Sequence, residues 1–162
     1  MIFVKVKSLI RLQHTKVSPD THVALVWQLL AKRNITLLSV VSADGKLLGI
    51  IGEDDLLVRL VPDYRENFSE FLTYCPNLEE LEENLEKAFA LTATDVMNKK
   101  IISIKADEPI YKALSKMMAY KVRVLPVVDE EKNFLGMIVE DDIMQYLFKA
   151  HQHIVKKGKK LK

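Results

Sequence analysis

The chain has a single cysteine, Cys75, among its 162 residues. One thiol excludes an internal disulfide and any metal site built from several cysteines of one chain, and it fits a reducing compartment. An excess of one charge is lacking too. The 24 Lys and Arg nearly balance the 22 Asp and Glu, leaving a net charge of +2, so there is no general attraction to nucleic acid. No stretch approaches the roughly 18 uncharged apolar residues of a membrane span. Residues 1–16 scatter Lys5, Lys7 and Arg11 among apolar side chains, whereas a signal peptide groups its charge before an unbroken apolar run. Glycine is scarce, with 5 in all, and there is no glycine-rich phosphate loop, His-Glu-x-x-His or Gly-x-Ser-x-Gly pattern. These absences point to a soluble, cytoplasmic chain that is not an enzyme.

What is present is a repeat. Residues 38–55 align without a gap on residues 125–142. Val40-Val41 falls on Val127-Val128, Gly49-Ile50-Ile51 on Gly136-Met137-Ile138, and Glu53-Asp54-Asp55 on Glu140-Asp141-Asp142. The spacing is 87 residues throughout, and it also carries Asp20 onto Asp107 and Leu60 onto Leu147. Self-similarity at a fixed spacing indicates two copies of one supersecondary unit. The first copy reads as strand 15–17, helix 20–33, strand 35–41, turn 42–46, strand 47–51 and helix 54–61. In the second, strand 101–104 leads to a helix with Asp107 as N-cap and Pro109 in its first turn. Ile110, Ala113, Leu114 and Met117 recur there at helical spacing. Strand 122–128, turn 129–133, strand 134–139 and helix 142–150 complete it. The predicted class is α+β, with the order β-α-β-β-α twice. A unit this small cannot cover both faces of its sheet, so it is expected to pair with its twin, with pseudo-two-fold symmetry.

Residues Asp95-Val96-Met97, Asp107-Glu108-Pro109, the run Arg123-Val124-Leu125-Pro126-Val127-Val128-Asp129 and the run 136–142 resemble the CBS repeat, and the pair resembles a Bateman module. The first copy lacks the Asp-Val-Met lead-in and has Ser39 in place of Pro126. The resemblance implies a regulator that binds an adenosine-containing ligand between the repeats: AMP, ADP, ATP or S-adenosylmethionine, with Mg²⁺ for a charged nucleotide. It implies that Asp55 and Asp142 hold a ribose. It implies further that Ile102, Leu125 and Pro126 line the adenine pocket of the second repeat, Thr15 and Ser39 that of the first, and that Arg123 faces phosphate. A carboxylate suits vicinal hydroxyls because it can accept two hydrogen bonds at once. The same aspartates also suit a plain helix cap. The family's hydroxyl residue is replaced by Gly52 and Val139, and Glu53 and Glu140 follow directly. That acidity disfavours a polyphosphate. The second copy has Lys121 and Arg123 where the first has Asn34 and Thr36, so the second site is the one expected to bind.

The expected organisation is a first repeat with its N-terminal extension (1–61), a helical segment (62–94), a second repeat (95–150) and a basic tail (151–162). The helical segment should hold two amphipathic helices broken at Pro76-Asn77, with Asn77 as a cap. Its acidic face, over residues 64–90, would be the working surface if the chain were a scaffold rather than a sensor. Five lysines and His151-Gln152-His153 mark the tail as a disordered end, and the histidine spacing makes a poor metal site. Cys75, Trp27 and the Met117-Met118 pair are expected to be buried. A homodimer acting on a separate, unidentified protein is the expected assembly.

Overall fold

The computed structural model describes residues 4–12, 16–32, 35–60 and 75–159. The chain forms two compact units, residues 15–101 and residues 1–14 together with 102–162. The first holds β1 (Lys16–Val17), α1 (Val23–Lys32), β2 (Leu37–Val41), β3 (Leu47–Gly52), α2 (Glu53–Leu57), α3 (Leu78–Phe89) and α4 (Ala93–Val96). The second holds β4 (Ile104–Lys105), α5 (Ile110–Tyr120), β5 (Val124–Val128), β6 (Phe134–Val139), α6 (Glu140–Ala150) and α7 (Gln152–Lys159). Each has a three-stranded sheet in chain order, its first pair parallel and its second antiparallel. The β-α-β-β-α order is present twice.

Helical spacing builds both cores. Val23, Val26 and Leu30 of α1 pack on Leu38, Val40 and Ile51. Ile110, Ala113 and Met117 of α5 pack on Leu125, Val127, Ile138 and Ile143. The hairpins repeat even their irregularities. Each has a register shift at the end of its first strand, at Val40/Val41 and Val127/Val128. Each turn then passes through positive φ at one matched position, Gly45 at 89° and Lys132 at 66°. Glycine takes that conformation freely. Lys132 is held in it by Asp129, whose carboxylate accepts the Glu131 and Asn133 N–H groups at 2.9 and 2.8 Å.

The repeat reaches further back than its strands. Arg11 N–H donates to the Met137 carbonyl at 2.8 Å, and Met137 N–H donates to the Arg11 carbonyl at 3.2 Å. In the other unit Asn98 and Ile50 exchange the same pair of bonds, at 2.8 and 3.1 Å. Bridges Lys5–Pro109 and His22–Thr92 are matched in the same way. Ser8-Leu9-Ile10 thus occupies the place of Asp95-Val96-Met97, so the first repeat does have a lead-in. Each lead-in lies on the sheet of the other repeat: residues 10–11 on β6, residues 97–98 on β3. Gly136 makes the first contact feasible. Its φ is +147°, and a Cβ there would lie 2.6 Å from both the Arg11 carbonyl oxygen and Ile10 Cγ2.

Several expectations need correction. Pro109, not Asp107, is the N-cap of α5; Asp107 instead accepts from Lys5 and Lys7 at 3.1 and 2.9 Å. Helices α2 and α6 start at Glu53 and Glu140, ahead of the positions read from sequence. Cys75 is exposed. Met117 is buried, but its neighbour Met118 is exposed, because adjacent helical residues face different sides. The tail is helical over residues 152–159 rather than disordered. Asn77 does cap α3, accepting from Glu80 N–H at 2.9 Å while the Glu80 carboxylate accepts Asn77 N–H at 3.2 Å. Trp27 packs edge-on against Phe89, with centroids 5.5 Å apart. The first part of the predicted helical segment, residues 62–74, lies outside the described residues.

Candidate functional site

In each unit the sheet's last strand runs directly into a short acidic helix start. Free N–H groups in a first helical turn favour negative charge, and both copies supply a Glu-Asp-Asp run there. The two runs are used differently. Asp55 turns back on its own helix, where its Oδ2 accepts the Gly52 N–H at 2.7 Å. This is the cap alternative, realised.

Asp142 holds the matching position, and its carboxylate is taken by Arg11. Arg11 Nε donates to one oxygen at 2.5 Å and Nη2 to the other at 2.8 Å. The hydrogen bond to Asp142 raises the Arg11 pKa above its ordinary value. The Asp142 side chain is 24% exposed and that of Arg11 52%. This contact was not foreseen. Its signal lay in the 87-residue spacing carried back beyond the strands, which places Arg11 on Asn98.

Arg123 lies beside the same helix start. It donates to Glu140 at 2.8 Å and to Asp141 at 3.3 Å, and its carbonyl accepts the Glu140 N–H at 2.8 Å. The bond to Glu140, then the two carboxylate charges, raise its pKa as well. Two guanidinium groups therefore face the three acids of the second repeat. In the first repeat their positions hold Asn98 and Thr36. Asn98 accepts the Lys100 N–H, and among the described residues Glu53, Asp54 and Asp55 make no ion pair.

The remaining predicted residues fall on the sheets. Leu125 is fully buried within the core of its unit. Pro126, next to it on β5, faces the other side of the sheet and is also buried, opposite Met137. Ile102 is half-buried at the core's edge. Ser39 matches Pro126 on β2; it is fully buried, and its hydroxyl has no hydrogen-bond partner among the described residues. Thr15 lies outside the described residues. A cavity of about 240 Å³ lies between α1 and α2, lined by Trp27, Leu30, Ala31, Glu53, Leu56 and Leu57. It contains none of the predicted residues. No cluster of three or more His, Cys, Asp or Glu suited to a metal occurs among the described residues, and no helix there is long and apolar enough to cross a membrane.

The comparisons agree with this architecture. The family model for the CBS domain matches residues 6–62 and 93–149, taking in both lead-ins. A CBS domain-containing protein of Dictyostelium discoideum is 31% identical over 147 residues, which cover 91% of this chain and 93% of that protein. A CBS-pair protein of Arabidopsis thaliana, solved in complex with AMP, superposes with a TM-score of 0.69 at 20% identity, covering 90% of this chain and 97% of its own. The CBS domain pair of a protein solved with 5′-methylthioadenosine and S-adenosyl-L-methionine gives 0.64 at 21% identity, covering 92% and 99%. By contrast, the chain spans only about a fifth of the enzymes it matches, 18% and 21% in two cases. With both repeats matched over most of its length, this chain belongs to the CBS domain family.

Proposed function

We propose that the chain is a regulatory CBS pair that binds an adenosine-containing ligand at the second repeat, through Asp142, and signals to a separate protein. One observation carries the reading: Asp142 sits in the first turn of α6 without capping it, whereas Asp55 is consumed as a cap. Its carboxylate is thus available for exchange of partners. Arg11 and Arg123 supply positive charge where a phosphate-bearing nucleoside would need it, and among the described residues the acids of the first repeat have no such partners. Ile102, Leu125 and Pro126 remain proposed contacts for the base; Thr15, Ser39 and Asp55 would form the weaker site. AMP and S-adenosylmethionine are the natural first candidates, since structural neighbours hold those molecules. We take the working form to be a homodimer, joined through exposed apolar side chains of α5 and α6 such as Tyr111, Met118 and Phe148.

The test is a thermal-shift and calorimetric screen with adenosine, AMP, ADP, ATP with and without Mg²⁺, and S-adenosylmethionine. A ligand at 100 times its Kd adds about 2.7 kcal/mol. The shift should vanish in Asp142→Ala and persist in Asp55→Ala. No response to any of them overturns the sensor reading and favours a scaffold acting through the acidic face of α3, which carries Glu79, Glu80, Glu82, Glu83 and Glu86.

A further inference from the structure

Asp142 already has an occupant. Arg11 approaches it side-on, with Nε and Nη2 on different oxygens of the carboxylate. That fork uses the lone pair on each oxygen that faces the other. A vicinal diol that donates both hydroxyls to one carboxylate needs the same two lone pairs. In the two-point mode, guanidinium and diol exclude each other.

We propose that Arg11 is a specificity-determining residue of the second repeat: it competes with the ribose hydroxyls for Asp142 and so selects against neutral ribonucleosides. The proposal rests on the adenosine reading of this site. Displacement is a matter of the side chain alone, because the Arg11 backbone stays tied to Met137 by two hydrogen bonds. The guanidinium is half-exposed, and Asp142 is its side-chain hydrogen-bond partner. Once displaced it loses that partner, while Glu140 and Asp141 are already held by Arg123. A ligand with its own anionic group gives the freed guanidinium a new partner; adenosine does not. The first repeat has Asn98 at the matched position and no such competitor among the described residues.

The experiment is calorimetric titration of the full chain and of Arg11→Ala with adenosine and with AMP, at low and at high salt. Arg11→Ala should bind adenosine about fivefold more tightly, the weight of a partly exposed ion pair. It should gain nothing for AMP, so that the preference for AMP over adenosine falls. Adenosine is uncharged, so its affinity for the wild-type chain should rise with salt as the ion pair is screened, and the rise should be absent in Arg11→Ala. Amide exchange at position 11 checks that the strand stays paired, and Arg11→Lys, which keeps the charge without the fork, should fall between the two. Wild-type binding with unchanged or weaker adenosine affinity in Arg11→Ala overturns the proposal alone. Absence of binding of either probe to both proteins removes the adenosine reading, and the proposal with it.

Discussion

Gly136→Ala is the sharpest perturbation of the second unit. The residue sits at φ +147°, where an L side chain costs about 1–3 kcal/mol. The new Cβ would also lie 2.6 Å from the Arg11 carbonyl oxygen. A backbone atom cannot rotate aside, so residues 10–11 must leave β6. The two hydrogen bonds they share with Met137 go with them, at about 1 kcal/mol each. A loss of about 3–5 kcal/mol follows. Gly49→Ala is the internal control. No positive φ applies there, and its Cβ would meet the Met97 side chain, with Sδ nearest at 2.5 Å. That side chain can partly re-rotate, so the loss should be about 1–2 kcal/mol. Urea denaturation of both variants gives the two values. Amide exchange at Arg11, whose N–H lies in the affected pair, reports whether the strand has left. If Gly136→Ala stays within about 0.5 kcal/mol of wild type with its Arg11 amide still protected, the lead-in does not depend on this glycine.

Two further outcomes are expected. Ser39→Ala removes a buried hydroxyl that has no partner among the described residues, so it should leave stability unchanged or raise it by about 1 kcal/mol in urea denaturation; a clear loss would mean the hydroxyl is satisfied in solution. Asp107 has a pKa below its ordinary value of 3.8, through hydrogen bonds from Lys7 and then Lys5 and through their charges. Its unfolded form binds protons more readily, so its contribution is present above about pH 4 and is lost as pH falls through the lower folded value. Melting temperature should fall less steeply between pH 5 and pH 2 in Asp107→Asn than in wild type.

The two repeats were legible because a hairpin whose first strand is buried on both faces restricts its residues tightly. Val40 and Val127 pack in the two cores, Val41 and Val128 beside them are buried as well, and the glycines at 49 and 136 admit a neighbouring strand. The lead-in of the first repeat was not legible. Ser8-Leu9-Ile10 shares only an apolar pattern with Asp95-Val96-Met97, and its partner strand is more than 120 residues away in the chain. The occupant of Asp142 was hidden for the same reason, since a pairing of Arg11 with β6 leaves no local trace. Helix starts were misplaced by a residue or two because an acidic first turn and a capping acid look alike in sequence: Asp107 looked like a cap, yet its lysine partners come from the N-terminal segment. Cys75 was misjudged from residue type alone, without an element to place it.

The exchange of lead-ins also decides how the protein can be taken apart. Residues 15–101 contain their own edge strand and form one uninterrupted stretch of chain. The other half is assembled from both ends of the polypeptide. A fragment begun at residue 93 would carry the wrong lead-in and leave the outer edge of β6 bare, together with an unneutralised Asp142. Isolating that half intact calls for a circular permutant that joins residues 102–162 to residues 1–14, so that Arg11 travels with the carboxylate it holds.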